Sequence, residues 1–507
     1  MESRTRNSKR NIIVGVLSNC VIPLFGMIIN SITVRYFGVE YIGLIGVFTS
    51  VLQVLNLAEL GFSSAVIVNL YKPLKDNDIK AVRGVLAYYK RVYKIIGITI
   101  LVAGIIACPL LSKMVGDTSG ISENIFILYF FYLVNTAISF LLFGYKEGLF
   151  NAVQRLDITK LVHIVIYISK SCLQLIAIVV FRSFYVYAAV IVLGTVFYNL
   201  ALNILSKNKL AQYYPEGEVD EATRKNVREQ VIGVSVSKVL GVSRNSFNTL
   251  VITSFLGLHI SGQYSNYYVI YNTVLGFFLI ITKAIQASVG NSIVSETVEK
   301  NYADFTKMEF LQNIIITACT AYLVSLYQPF MKFWMGEDLL FSDSIMVLFV
   351  IYFYILAMGE VRNAYFSALG YWWKAKWIFA VEALMNVILI AGLGKLFGVS
   401  GVIIATSTTV LIVNYIGVTN LLFREYFGSG RKEFYTNRII YTIITVIICT
   451  ISFYFCGLIP LEGIAGIIVR LVVCTLVLAI TVPTIMFIIK RKYMKESVAF
   501  IKQIIKA

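Results

Sequence analysis

Apolar runs of twenty or so residues recur from one end of this sequence to the other, and they fix the class of fold before any single residue is weighed. About 20 predominantly apolar residues cross a bilayer core of roughly 30 Å as a helix. Fourteen such runs can be marked out, the first at 11–36 and the last at 463–489. They are continuous rather than alternating, which argues for helices and against a barrel. At 58% hydrophobic and 14% charged, a chain of 507 residues has more apolar surface than a water-soluble core could bury. The expected fold is an all-α polytopic membrane protein.

A net charge of +17 could suggest nucleic acid, but its distribution argues otherwise. Of the 44 Lys and Arg, 34 fall in the alternate segments that begin with the N-terminus, five in the other connections and five inside apolar runs. That asymmetry is the positive-inside signature, so both termini are expected in the cytoplasm, with no nucleic-acid partner. The start, MESRTRNSKR, precedes a run too long for a signal h-region and without a small-residue cleavage site, so it reads as an uncleaved first helix. The seven cysteines lie in apolar runs without CxxC spacing, which suggests neither a disulfide framework nor a metal site. His163 and His259 are far apart in sequence and read as isolated interfacial residues.

The chain repeats itself. FGVEYIGLI at 37–45 matches LGLHISGQY at 256–264 with an offset of 219, aligning Gly38 with Gly257 and Gly43 with Gly262. GLFNAVQR at 148–155 matches AYFSALGY at 364–371 with an offset of 216, aligning Lys146 with Arg362 and Lys160 with Lys376. A near-constant offset over the same order of runs indicates a tandem duplication of six helices in one orientation. The expected organisation is a six-helix lobe at 1–206, a cytoplasmic linker at 207–228, a second lobe at 229–423, and two additional helices with a basic tail at 424–507. Within the first lobe, 72–90 mixes apolar and basic positions behind Asp78, which suits a helix lying in the inner interface.

No nucleotide-binding GxxxxGK[ST], HExxH or GxSxG occurs, and no connection is long enough for a catalytic domain. The expectation is a transporter rather than an enzyme, with no cofactor. A charge at helix-centre depth costs about 2.5–3.5 kcal/mol on insertion scales, so intramembrane charges usually face a bundle interior or a wet cavity. Arg244, Lys238, Lys283 and Lys170 are such charges, and Glu59 is a carboxylate in a corresponding helix. Together they suggest an anion-binding cavity between the two copies, with Arg the best bidentate match to phosphate. The competing reading is internal ion pairing, for instance Lys283 with Glu59 or Glu382, or snorkelling, which suits Arg470. Tyr264, Tyr268 and Tyr271 form a helical stripe that could stack on sugar rings or simply pack.

The stretches FGVEYIGLIGVFTSVLQVLNLAELGFSSAV, GLFNAVQR and NSFNTLVITSFLGLHISGQYSNYY resemble the Wzx-type polysaccharide repeat-unit flippases, which share a superfamily with multidrug (MATE) exporters and the lipid II flippase. The resemblance extends over nearly the whole chain. It implies a two-lobed bundle that rocks between inward- and outward-facing states. The implied cargo is an undecaprenyl-pyrophosphate-linked oligosaccharide, flipped from the inner to the outer leaflet of the bacterial cell membrane. It also implies membrane lipids, a polysaccharide polymerase and glycosyltransferases as partners, and H+ or Na+ as a coupling ion. Glu59 falls where relatives commonly carry an acid, whereas Asn248 stands where similar sequences often carry a carboxylate. The alternatives are an ion-coupled multidrug exporter and a non-transporting scaffold for glycan assembly.

Overall fold

The computed structural model describes residues 4–56, 59, 62–116, 118 and 120–489, and within its helices some side chains, Lys238 and Lys283 among them, lie outside the described residues. The described residues form helices and turns without a strand. They divide into two compact units, 1–266 and 267–507. Nine helices among them are long and apolar enough to cross a membrane, ten if one bent pair is a single span.

The first unit runs through α1 (Arg4–Phe37), α2 (Val39–Leu55), α3 (Phe62–Lys75), α4 (Ile79–Val115), α5 (Ile125–Leu141), α6 (Tyr145–Ala152), α7 (Leu156–Val179) and α8 (Phe184–Lys209). It takes in most of α9 (Glu221–Ser295), which folds back at Gly257, where φ is 85°. The second unit continues with α10 (Val298–Met335), α11 (Asp343–Ala357), α12 (Glu360–Ala368) and α13 (Lys376–Thr409). A π-helical turn, Val410–Ile416, leads into α14 (Gly417–Leu422) and a second such turn, Phe423–Phe427. Last come α15 (Arg431–Gly457) and α16 (Gly463–Ile489).

The duplication is visible in where helices start, stop and break. Gly38, between α1 and α2, has φ 105°, and its counterpart Gly257 has φ 85°, a region costly for any residue with a Cβ. The span made of α5 and α6 bends by 51° at 142–144. Its counterpart breaks at 358–359, between α11 and α12. Helices α4 and α10 start 219 residues apart, capped by Asp78 accepting from the Ala81 amide at 2.9 Å and Thr297 accepting from the Lys300 amide at 3.3 Å.

At 37 residues α4 is about 55 Å long, well beyond the bilayer core. The interfacial helix expected over 72–90 is therefore not separate. Its basic positions Lys80, Arg83 and Lys90 ride on the first turns of α4 as it leaves the membrane. Nor is the connection after α8 loose. Arg83 donates to the Gln212 carbonyl at 2.9 Å, pairs with Glu216 at 3.2 Å and lies 3.7 Å over the Tyr214 ring. Glu216 returns its amide to the Arg83 carbonyl at 3.3 Å, so this segment is strapped to α4.

Two backbones meet inside the first unit where the repeat copies touch. A Cβ on Gly43 would fall well inside contact distance of the Leu258 carbonyl oxygen, and one on Gly262 would do the same to that of Val39. Positions 43 and 262, and 39 and 258, are related by the repeat offset, so the crossing is locally two-fold. The repeat-related side chains Glu40 and His259 meet across it at 2.9 Å.

In the second unit, α15 and α16 pack on α10. Arg438 of α15 and Glu309 of α10 form a buried ion pair, with Thr317 and Thr445 bonded at 2.8 Å farther along. Arg470 donates to the Ile459, Leu461 and Cys456 carbonyls at 2.7, 2.8 and 3.3 Å. These include orphan carbonyls at the end of α15, where a cation also complements the helix dipole.

Two substitutions test this packing by thermal unfolding in detergent. Gly262→Leu should lower stability by about 1–3 kcal/mol by overpacking the crossing, while Ala at the exposed Gly392 of α13, where a Cβ would meet nothing within 4 Å, should not. Glu309→Leu should cost about 3–5 kcal/mol by leaving Arg438 buried and unpaired, and Arg438→Met added to it should restore most of the loss.

Candidate functional site

Helix α7 supplies the site. Its start is pinned to α1, because Asn11 accepts from the Asp157 amide at 2.7 Å and donates to the Gln154 carbonyl at 3.2 Å. Asp157, favourable in a first helical turn, also pairs with Arg155 at 2.9 Å. From that fixed start, Lys160, His163, Tyr167 and Lys170 follow at spacings of three, four and three residues. Those spacings put all four on one helical face.

That face lines a cavity of about 580 Å³ shared with α1, α5, α6 and α8, wholly within the first unit. Glycines make room for the cations. A Cβ on Gly15 of α1 would sit 3.1 Å from the Lys160 Nζ, and one on Gly194 of α8 would sit 3.0 Å from the Lys170 Cδ. The Lys170 ammonium lies 4.4 Å from the centre of the Tyr167 ring, a cation–π contact. His163 packs edge-on to Tyr198 at 5.6 Å.

The facing wall is polar and mostly neutral. Thr195 donates to Asn135 at 2.6 Å, and Asn199 accepts from the Phe143 amide at 3.2 Å, which satisfies backbone freed by the α5–α6 break. Glu147 of α6 is the wall's carboxylate, exposed to the cavity and hydrogen-bonded by the Tyr198 hydroxyl. Two lysines and a histidine against one carboxylate suit an anion, with amides and hydroxyls alongside to bond neutral hydroxyl groups. Just below, Lys146 is buried and committed to Asn203 at 2.7 Å.

Of the residues singled out by charge, the structure puts Lys170 in this cavity. Glu59 lies elsewhere, in the turn between α2 and α3, accepting from Tyr93 at 3.1 Å in a chain that continues through Tyr89 to Ser63. Arg244 is half-buried on α9, two residues from Ser246, which donates to Gln53 at 3.2 Å, and is not among the cavity's lining residues. The side chains of Lys238 and Lys283 fall outside the described residues. Asn248 is buried and donates to Tyr264 at 3.3 Å. Tyr264 and Tyr271 are buried as well, so packing claims these two members of the tyrosine stripe.

Lys160 and His163 are the site residues that reading by charge and depth passed over, since Lys160 counted with a loop and His163 with the interface. The signal that finds them is their helical spacing from Lys170.

Known proteins place the chain. The family described as polysaccharide biosynthesis protein matches residues 8–286. No curated protein matches the sequence. Among solved structures, the lipid II flippase MurJ in an inward closed conformation aligns with a TM-score of 0.66 at 14% identity, covering 94% of this chain and 99% of that one. An inward-facing multidrug resistance MATE transporter of the MOP superfamily gives 0.63 at 16% identity, over 80% of this chain and 96% of its own. A MOP superfamily transporter from Pyrococcus furiosus Vc1, described as having a binding pocket of reverse polarity, gives 0.60 at 16% identity, over 81% and 94%. With an all-helical, multi-pass fold shared with these transporters and a family match over more than half its length, the chain belongs to the polysaccharide biosynthesis protein family.

Proposed function

We propose that this protein is a flippase for undecaprenyl-pyrophosphate-linked oligosaccharide, carrying the repeat unit from the inner to the outer leaflet of the bacterial cell membrane with both termini in the cytoplasm. The observation that carries the reading is the face of Lys160, His163 and Lys170 opposite a wall of amides and hydroxyls. A pyrophosphate needs concentrated positive charge in a site of low dielectric, and lysine ammoniums meet it as compact point charges. Sugar hydroxyls both donate and accept, which Asn135, Thr195 and Asn199 can answer. The isoprenoid tail needs no protein site and stays in lipid.

Arg244, Lys238 and Lys283 belong to the same proposal as later phosphate contacts along the headgroup's path, and the Glu59 carboxylate as an acceptor for sugar hydroxyls. Alternating access moves the cargo, and H+ or Na+ movement or the membrane potential supplies the drive. Polymerase and glycosyltransferases are the partners that consume and supply the cargo.

Purified protein in liposomes, given a labelled lipid-pyrophosphate oligosaccharide and separately a cationic dye, tests the reading. Saturable movement of the glycolipid without the dye is expected. Lys170→Gln and Lys160→Gln should each weaken headgroup binding about ten- to a hundredfold, the loss of one charged hydrogen bond. Movement of the dye alone would assign a drug exporter, and movement of neither a scaffold. Arg244→Ala should abolish glycolipid movement while its elution profile and thermal midpoint stay unchanged. Normal export by that variant would remove Arg244 from the path.

A further inference from the structure

The segment GYWWKAKW at 370–377 holds three of the chain's four tryptophans, at the end of α12 where α13 begins. Gly370, with φ 67°, turns the chain there. Trp372 is tucked inward, edge-on to Phe366 at 5.2 Å and 6.0 Å from Phe379, and so fixes the turn to the core. Trp373 and Trp377 go the other way, 58% and 72% exposed.

The charges around them divide. Lys374 pairs with Glu425 at 2.7 Å, and Arg424 takes the other oxygen of the same carboxylate at 2.9 Å. Tyr371 ties down the Glu425 carbonyl at 3.3 Å. Lys376 joins no such pair. Its ammonium sits 3.8 Å from the centre of the Trp373 ring and 5.9 Å from that of Trp377, and among the described residues no carboxylate neutralises it.

Exposed indoles at the end of a membrane helix belong at the headgroup level. Here they hold a cation between them, two residues from Lys374 and its shared Glu425–Arg424 cluster, with two indole N–H groups to donate. Three cations against one carboxylate leave the patch positive. We infer that Trp373, Trp377 and Lys376 form a seat for anionic phospholipid headgroups. The lipid phosphate takes the Lys376 ammonium, the indole N–H groups donate to its oxygens, and the rings sit on the upper acyl carbons.

Tryptophan quenching in nanodiscs tests this directly. In a Trp334→Phe, Trp372→Phe background the two exposed indoles are the only tryptophan fluorophores. Dibrominated phosphatidylglycerol should quench them with about a fivefold apparent preference over dibrominated phosphatidylcholine at equal mole fraction. Lys376→Gln should bring the two lipids close to parity, and Lys376→Arg should keep the preference, with elution and thermal midpoint unchanged in both. Equal quenching by the two lipids in the parent overturns the inference, as does a preference that Lys376→Gln leaves intact. Loss of the preference on adding polyisoprenyl pyrophosphate at a few mole per cent also overturns it, because the seat would then belong to that lipid.

Discussion

The first unit depends on a contact between two backbones. Lipid is as apolar as leucine, so helices in a bilayer gain little from hiding apolar side chains and associate by close packing instead. At Gly43 and Gly262 that packing goes as far as it can: each faces a carbonyl of the opposite helix where a side chain would stand, and the repeat offset relates the two contacts. Gly46, one turn on, meets side chains rather than backbone, with a Cβ there 3.2 Å from Ser265 and Thr249. The positive-φ glycines at 38 and 257 turn the chain so that both helices arrive at this crossing. Glu40 and His259 then close its edge. A two-fold contact of this kind is what a tandem duplication in one orientation can supply, because the same sequence feature occurs on both sides.

Around such contacts the chain disposes of its intramembrane charge in three ways. Arg438 is neutralised by Glu309. Arg362 and Arg470 are spent on backbone: Arg362 holds the Asn414 and Tyr415 carbonyls at 3.3 and 2.8 Å, which the π-helical turn at Val410–Ile416 leaves accessible, and Arg470 holds those after α15. Lys160 and Lys170 are treated differently, stood against glycines and an aromatic ring with a cavity in front of them. Burial alone does not separate these groups, since Arg470 is half-buried just as Lys160 and Lys170 are. What each cation faces separates them: Arg362 and Arg438 face partners on which the fold relies, whereas Lys160 and Lys170 line open polar space.

This is also where reading the sequence runs out. Apolar length gives the all-helical, membrane-crossing class of the fold, because it depends on local composition. The repeat is legible because glycines at 38, 43, 257 and 262 are required by backbone geometry that recurs in the structure. Glu59 and Lys170 both read as charges inside apolar runs, yet one closes a tyrosine chain and the other opens on a cavity, a difference set by neighbours more than twenty residues away. Arg438 reads as a loop charge because it lies near a helix start, and its partner is 129 residues distant. Lys160 and His163 could have been found, since their spacing from Lys170 is a local property.

The repeat also shows how one ancestral position can serve two ends. Lys160 and Lys376 occupy equivalent places near the start of α7 and α13. In the first copy the neighbour across from the lysine is Gly15, which leaves its ammonium room at a polar cavity. In the second copy the exposed Trp373 and Trp377 flank it, and rings of that size hold the half-buried lysine's ammonium against them. The lysine is unchanged, and its role follows from whether a neighbour is small enough to admit it or large enough to carry it outward. Duplication therefore does not make the two copies equivalent in chemistry. It sets equivalent lysines among different neighbours, whose size decides whether a charge lines a polar cavity or lies against exposed indoles.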